Sequence, residues 1–206
     1  MHNDIRECAK AYKELMNCEF IFVVGKRGRE TKLILKFERE QFSHLLGLDK
    51  LTDIKDLIRC NKKSIFDDII NSNDKLKSII ENSTQYNQHT NVKRRESFCN
   101  LYELLMSENL IFKNNKECEK KTKIPFDFLI KGIKDKNIIS LFVRKENNSS
   151  EEYIGISQFI VEKDDISSSA TGYTLLYKAY INKQNKTHSV LFCHKNFSYE
   201  KMINSN

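Results

Sequence analysis

The stretch EFIFVVGKRGRETKLILKFE, residues 19–38, sets the frame for the whole chain. Two β-rich runs flank a basic turn that contains glycine, which is the signature of a β-hairpin. The tip carries Lys26, Arg27 and Arg29. Upstream, residues 4–18 repeat Ile5, Cys8, Tyr12, Leu15 and Met16 at near-helical spacing behind Asp4, a helix N-cap type. Downstream, QFSHLLGLDKL (41–51) places His44 within the apolar group Phe42, Leu45, Leu46 and Leu48, with Gly47 as a helix stop near residues 38–47. This phrase leaves two readings of His44 open: a packed core residue or a proton-handling group.

Residues 50–108 hold neither Gly nor Pro and read as three further helices. These lie around 52–60, over 64–82 with an interruption near 72, and over 91–107. The last has an apolar stripe of Val92, Phe98, Leu101 and Leu105. Its first turn carries Lys93, Arg94 and Arg95, the unfavourable sign for a helix N-terminus unless an anion is expected there. After Pro125 the period becomes two, with candidate strands at 126–131, 138–145, 153–162, 174–182 and 188–194. The linker 163–173 is Ser-rich and reads as mobile. The expectation is α+β: one domain over 1–206, with a hairpin at 19–38 and a helical insertion at 50–108. Its core is an open antiparallel sheet of four to five strands over 126–195.

The composition is that of a globular chain, 39% hydrophobic and 31% charged. No run approaches a membrane span, and MHNDIRECAK lacks the apolar core of a signal peptide. The expected location is the cytoplasm, in a bacterial host. Six scattered cysteines (Cys8, Cys18, Cys60, Cys99, Cys118, Cys193) form no C-x-x-C pair and read as reduced thiols. The net charge is +7, with local clusters at 25–32, 92–96 and 119–123. Such clusters attract polyanions, though Lys-rich coding gives the same composition. The acidic pairs Asp67-Asp68 and Asp164-Asp165 are sequence neighbours that need not converge, and no nucleotide-binding or zinc-protease motif is present.

Alternation splits the strand residues into two faces. Ile139, Leu141, Val143, Ile154, Ile156, Ile160, Leu175, Tyr177, Ala179 and Ile181 form an aliphatic set assigned to the core. The other set contains Ser140, Phe142, Arg144, Tyr153, Ser157, Phe159, Thr174, Leu176, Lys178 and Tyr180. Aromatics, hydroxyls and cations together suit RNA, although a plain solvent face is built from the same residues. His2, His89, His188 and His194 read as surface residues.

The order of these pieces, a helix, the 19–38 hairpin, F-x-HLLGLDKLTDI, Lys-rich helices, SFCNLYELL, IFK, IISLFVRK and Y-TLLYK, resembles a phage- and mobile-element-associated branch of the barnase, EndoU, colicin and RelE-like (BECR) nucleases, from about residue 10 to 195. The resemblance implies an RNase-like fold that cleaves RNA (tRNA or mRNA) across its sheet, with no metal and no cofactor. It implies His44, Lys178 and Thr174 as site residues, to which the face argument adds Arg144 and Tyr180. Lys26, Arg27, Arg29, Lys93, Arg94 and Arg95 are the nucleic-acid-binding candidates. The alternative is an inactive phage-encoded protein that grips a host protein, such as a defence nuclease, or its nucleic acid. Inhibitor and oligomeric state are left open.

Overall fold

The computed structural model describes residues 4–198 except 56, 58–60, 72–73, 135, 148–149 and 162–164, so His2, Cys60 and Asp164 lie outside the described residues. Helix α1 (Ile5–Met16) starts where the Asp4 side chain accepts the Arg6 N–H, and it buries Ile5, Cys8, Ala9, Tyr12 and Leu15 along one stripe. Strands β1 (Cys18–Lys26) and β2 (Arg29–Lys36) form the expected hairpin. Its two-residue loop is Arg27 at φ 52° and Gly28 at φ 74°, the paired positive angles of a type I′ turn. Helix α2 (Arg39–Leu46) opens with a capping box between Glu38 and Gln41 and closes on Gly47 at φ 81°.

Before the next strand come α3 (Lys62–Ile70), α4 (Asp74–Glu81), α5 (His89–Cys99) and α6 (Leu101–Met106). The expected break near 72 lies between α3 and α4. The expected 91–107 helix starts earlier, at His89, and is broken at Asn100. The helix expected around 52–60 falls mostly outside the described residues. Then come β3 (Leu110–Lys113), the short α7 (Lys116–Lys121), β4 (Phe128–Lys134), β5 (Asn137–Lys145), β6 (Glu152–Ile160), β7 (Thr171–Asn182) and β8 (Thr187–Cys193).

The open sheet of four to five strands is overturned. The order β1-β2-β6-β5-β4-β3-β7 returns to β1, closing a seven-strand barrel, and β8 adds to β7 as an extra strand. Closure has two causes. First, β1 pairs on both edges, with β2 and, through Cys18↔Asn182 to Gly25↔Thr174, with β7. Second, β2 pairs with β6 in parallel, Ile34↔Glu152 to Lys36↔Ile154, joining the hairpin to the C-terminal strands. The four-residue β3 completes the ring by bridging β4 and β7, and its contact with Thr171–Tyr173 turns the end of the expected mobile linker into strand.

The strand faces also differ from simple alternation. Phe20, Phe22, Val24, Phe128, Ile130, Leu141, Val143 and Tyr153 meet the helices in one large core. There Tyr12 stacks on Phe98 at 5.5 Å and Phe42 meets Phe98 at 5.7 Å. Behind the sheet, Leu129, Phe142 and Ile156 pack on Cys118 and Phe126, while Ile21, Val23, Tyr177 and Ala179 form a third cluster. Tyr177 and Ala179 therefore turn away from the main core, and Lys178 and Tyr180 turn towards it. Bulges at Val23/Val24, Phe142/Val143 and Lys178/Ala179 reset the alternation, and both faces are covered, so apolarity alone does not mark the inside.

Candidate active site

The last turn of α2 buries Phe42, Ser43, Leu45 and Leu46, which leaves His44 on the outer side with 41% of its side chain exposed. Gly47 then reverses the chain in a left-handed conformation that side-chain-bearing residues adopt only at a cost. The single 3₁₀ turn Leu48–Lys50 follows, and Leu48 is buried. That reversal brings Asp49 back under the imidazole, with His44 Nδ1 2.6 Å from Asp49 Oδ2. A carboxylate on Nδ1 fixes the proton there in the neutral ring and leaves the Nε2 lone pair as acceptor.

His44 lines a cleft of about 520 Å³ together with Glu40, Lys50, Lys123, Arg144 and Ser157. Arg144 is exposed near the end of β5, opposite Ile154 of β6. Lys123 comes from the connector before Pro125. Lys50 is exposed at the cleft, where partial desolvation and the neighbouring Arg94 charge lower its pKa from the ordinary lysine value against the opposing charge of Asp49. Glu40 is different: a 2.6 Å ion pair with Lys63 holds its carboxyl below the usual range, so it stays ionised and is a weak proton acceptor.

Arg94 stands behind this wall. Its Nε donates to Leu45 O at 2.9 Å, and its Nη2 donates to His44 O and Ser157 Oγ. The guanidinium thus caps the C-terminal carbonyls of α2 and ties them to β6. Gln158, fully buried, adds a second tie by donating to the Arg94 carbonyl at 2.8 Å and accepting from Ser97. The carbonyl of the catalytic candidate and the turn below it are therefore held by α5.

Among the sequence-predicted residues, the cleft brings His44 and Arg144 together. Lys178 does not line it: the side chain is 1% exposed and donates to Ser107 O and Asn109 Oδ1, 5.6 Å from the Phe22 ring centroid. Burial lowers its pKa to about 8. Thr174 is exposed opposite Gly25, and Tyr180 is half-buried beside Phe20. Arg27 and Arg29 project at the hairpin tip, whereas Lys26 donates to Gly172 O and lies over Tyr173. Lys93 is half-buried. Arg95 is 3% exposed, donates to Tyr86 O and stacks 3.9 Å from the Tyr86 ring centroid, so it belongs to the core. From the sequence, Asp49 and Lys50 were passed over, Lys123 was held only as part of the basic cluster 119–123, and the inward aim of Arg94 was not given. A glycine stop directly after a histidine helix was the available signal for Asp49, since such a turn folds the next residues back on the last helical turn.

His188 Nε2 sits 3.2 Å from Tyr177 Oη on the far side of β7, and His194 accepts from the Asn196 N–H just after β8. Asp67 pairs with Arg39, and Asp165 pairs with Lys131. Among the described residues, no three His, Cys, Asp or Glu side chains gather as a metal site. None of the described helices is long and apolar enough to cross a membrane.

No curated protein and no solved structure matches the chain. The family model described as phage-Barnase-EndoU-ColicinE5/D-RelE like nuclease4 matches residues 4–195, and that span includes every strand of the barrel and every wall of the His44 cleft. The chain belongs to this phage-associated, nuclease-like family.

Proposed function

We propose that the His44 cleft cleaves RNA by attack of the 2′-hydroxyl on the adjacent phosphate, using side chains and no metal. The observation that carries this reading is the His44–Asp49 pair at 2.6 Å in a cleft whose other walls hold Lys50, Lys123 and Arg144. His44 Nε2 takes the proton from the 2′-hydroxyl. The 2′-oxygen bonds to phosphorus, and the bond from phosphorus to the 5′-oxygen breaks. Lys50, with its depressed pKa, gives its proton to that leaving oxygen. Arg144 and Lys123 face the phosphate and offset the charge that builds on its non-bridging oxygens. The products are a 2′,3′-cyclic phosphate and a 5′-hydroxyl, and solvent returns both proton carriers to their starting states.

Lys178, Thr174 and Tyr180 stand outside this set because none of them lines the cleft. The family assignment supports the nuclease reading in general, and the chemistry of the cleft favours RNA because it offers a base for a 2′-hydroxyl. The test is cleavage of bulk RNA and tRNA by the purified protein in excess EDTA. Cyclic-phosphate ends that survive EDTA and vanish in H44A support the reading. Activity that requires an added divalent cation, or that attacks DNA equally, overturns it.

A further inference from the structure

Two cysteines that the cleft does not use meet in the helical layer. Cys8 lies on the buried stripe of α1, and Cys99 is the last residue of α5. They are 91 positions apart in sequence, yet their Sγ atoms stand 2.9 Å apart, with either thiol able to donate to the other. Neither is in a disulfide. A disulfide bond is about 2.05 Å long, so a sub-ångström approach of the two sulfurs is enough to form one. Cys118 and Cys193, by contrast, turn their thiols to backbone carbonyls.

The setting suits sulfur chemistry as well as packing. Cys8 is fully buried, whereas Cys99 is half-buried and open to a small oxidant. The hydrogen bond to Cys99 and burial push the Cys8 thiol above its ordinary range, and the Arg95 charge opposes them. Arg95 lies one turn before Cys99 on α5 and is 3% exposed. Its guanidinium donates to the Tyr86 carbonyl, and its Nε has no hydrogen-bond partner among the described residues. A buried cation with an open donor beside a thiol pair stabilises a thiolate that forms as the pair reacts.

We infer that Cys8 and Cys99 are an oxidative modification site, which a peroxide converts to a disulfide that ties α1 to α5. The Cys99 sulfur takes one oxygen atom from hydrogen peroxide and becomes a sulfenic acid, with release of one water. The Cys8 sulfur then attacks the Cys99 sulfur and gives up its proton, and the sulfenic oxygen leaves as a second water. Together the two sulfurs lose two electrons, which the peroxide gains. A small thiol reverses the bond by exchange, and in a reducing compartment the pair rests as two thiols. The bond closes a long loop that contains β1, β2, α2 and the Asp49 turn. It also anchors the helix whose Arg94 holds the His44 and Leu45 carbonyls. The site is independent of the ribonuclease reading, since it needs no substrate in the cleft.

The experiment treats the reduced full-length protein with hydrogen peroxide, unfolds it, alkylates the remaining thiols with N-ethylmaleimide and maps the peptides by mass spectrometry. The peptides that carry Cys8 and Cys99 should appear joined, about 2 Da below the sum of their reduced masses, and dithiothreitol should separate them. The joined protein should melt at least about 5 °C above the reduced form. C8A should abolish the joined peptides and leave a Cys99 sulfenic acid that dimedone labels, whereas C99A should leave Cys8 as a thiol. Alkylation of both cysteines in peroxide-treated wild type overturns the site, and needs no variant to fold. Cys99 joined to another cysteine, or carried to a sulfinic acid with Cys8 still a thiol, overturns it equally. A joined pair with an unchanged melting temperature removes the tie between α1 and α5 as a brace on the fold.

Discussion

His44 and Lys178 enter the sequence in similar guise, one polar residue among apolar neighbours at regular spacing. The folded chain treats them in opposite ways. His44 stands on an outer helical turn with an acidic partner, and cationic side chains of Lys50, Lys123 and Arg144 surround it in an open cleft. Lys178 sits in the main interior on β7, held by two neutral oxygens with no carboxylate among its partners. Regular spacing tells which residues share a face. Whether that face is wet depends on what the rest of the chain lays over it, and here a helix end leaves one region open while Ser107 and Asn109 close the other. A group of the first kind is suited to moving protons, and one of the second kind is a stability term.

Four measurements break or sharpen that contrast. H44A should lower RNA cleavage by about 10²–10⁴-fold while leaving the melting temperature within about 2 °C, because the side chain is partly solvated. A large loss of stability with cleavage retained would erase the distinction. For Lys178 the sign runs the other way, on folding rather than rate. Its folded pKa of about 8 lies below the unfolded lysine value, so the folded state binds fewer protons between those limits. Stability should therefore rise from about pH 8 to about pH 10.5, by at most on the order of 3 kcal/mol relative to K178M. Urea denaturation across that range checks it, and parallel curves for the two proteins would remove the buried-charge account.

D49N keeps the shape of the His44 partner and removes its charge. It should lower kcat/KM roughly 10- to 100-fold, less than in fully buried triads because solvent screens this pair. A variant as active as wild type would detach Asp49 from the site. The smallest of the four effects is expected at the positive-φ glycines, where G47A should cost about 1–2 kcal/mol of stability. Gly47 has φ 81°, and an added Cβ would come within 3.1 Å of the Arg94 side chain. Gly28 has a similar φ of 74° with nothing within 4 Å. G28A should therefore cost only the backbone share, and equal melting curves for the two variants would show that Arg94 is not pressed against the turn.

Local elements were legible where one mechanism governed them. The I′ hairpin, α1 behind its Asp4 cap and α2 before Gly47 each follow from a turn or cap chemistry written in a few residues. Barrel closure was not legible because it depends on edges rather than faces. Nothing in CEFIFVVGK says that both edges will find partners, and the parallel β2–β6 contact spans only three residue pairs. The site divides in the same way. His44 announces itself in its helix, and Arg144 through its strand, but Lys123 meets them only because the connector before Pro125 lines the same cleft as Arg144 of β5 and Ile154–Ser157 of β6. Arg94 and Arg95 show the limit most clearly: adjacent residues of one charge, one bracing the cleft and the other stacked inside on Tyr86.

The seam between β1 and β7 also sets a clock. Its partners, Cys18–Gly25 and Thr174–Asn182, lie at opposite ends of the chain, and contacts of such long range form slowly because a large loop must close first. A ribosome making this protein releases β1 long before β7 exists. The cleft itself draws on residues from Glu40 to Ser157. A growing chain therefore carries His44 without the full set of side chains that line its cleft until Ser157 has been made, and without the closed ring until β7 has joined β1.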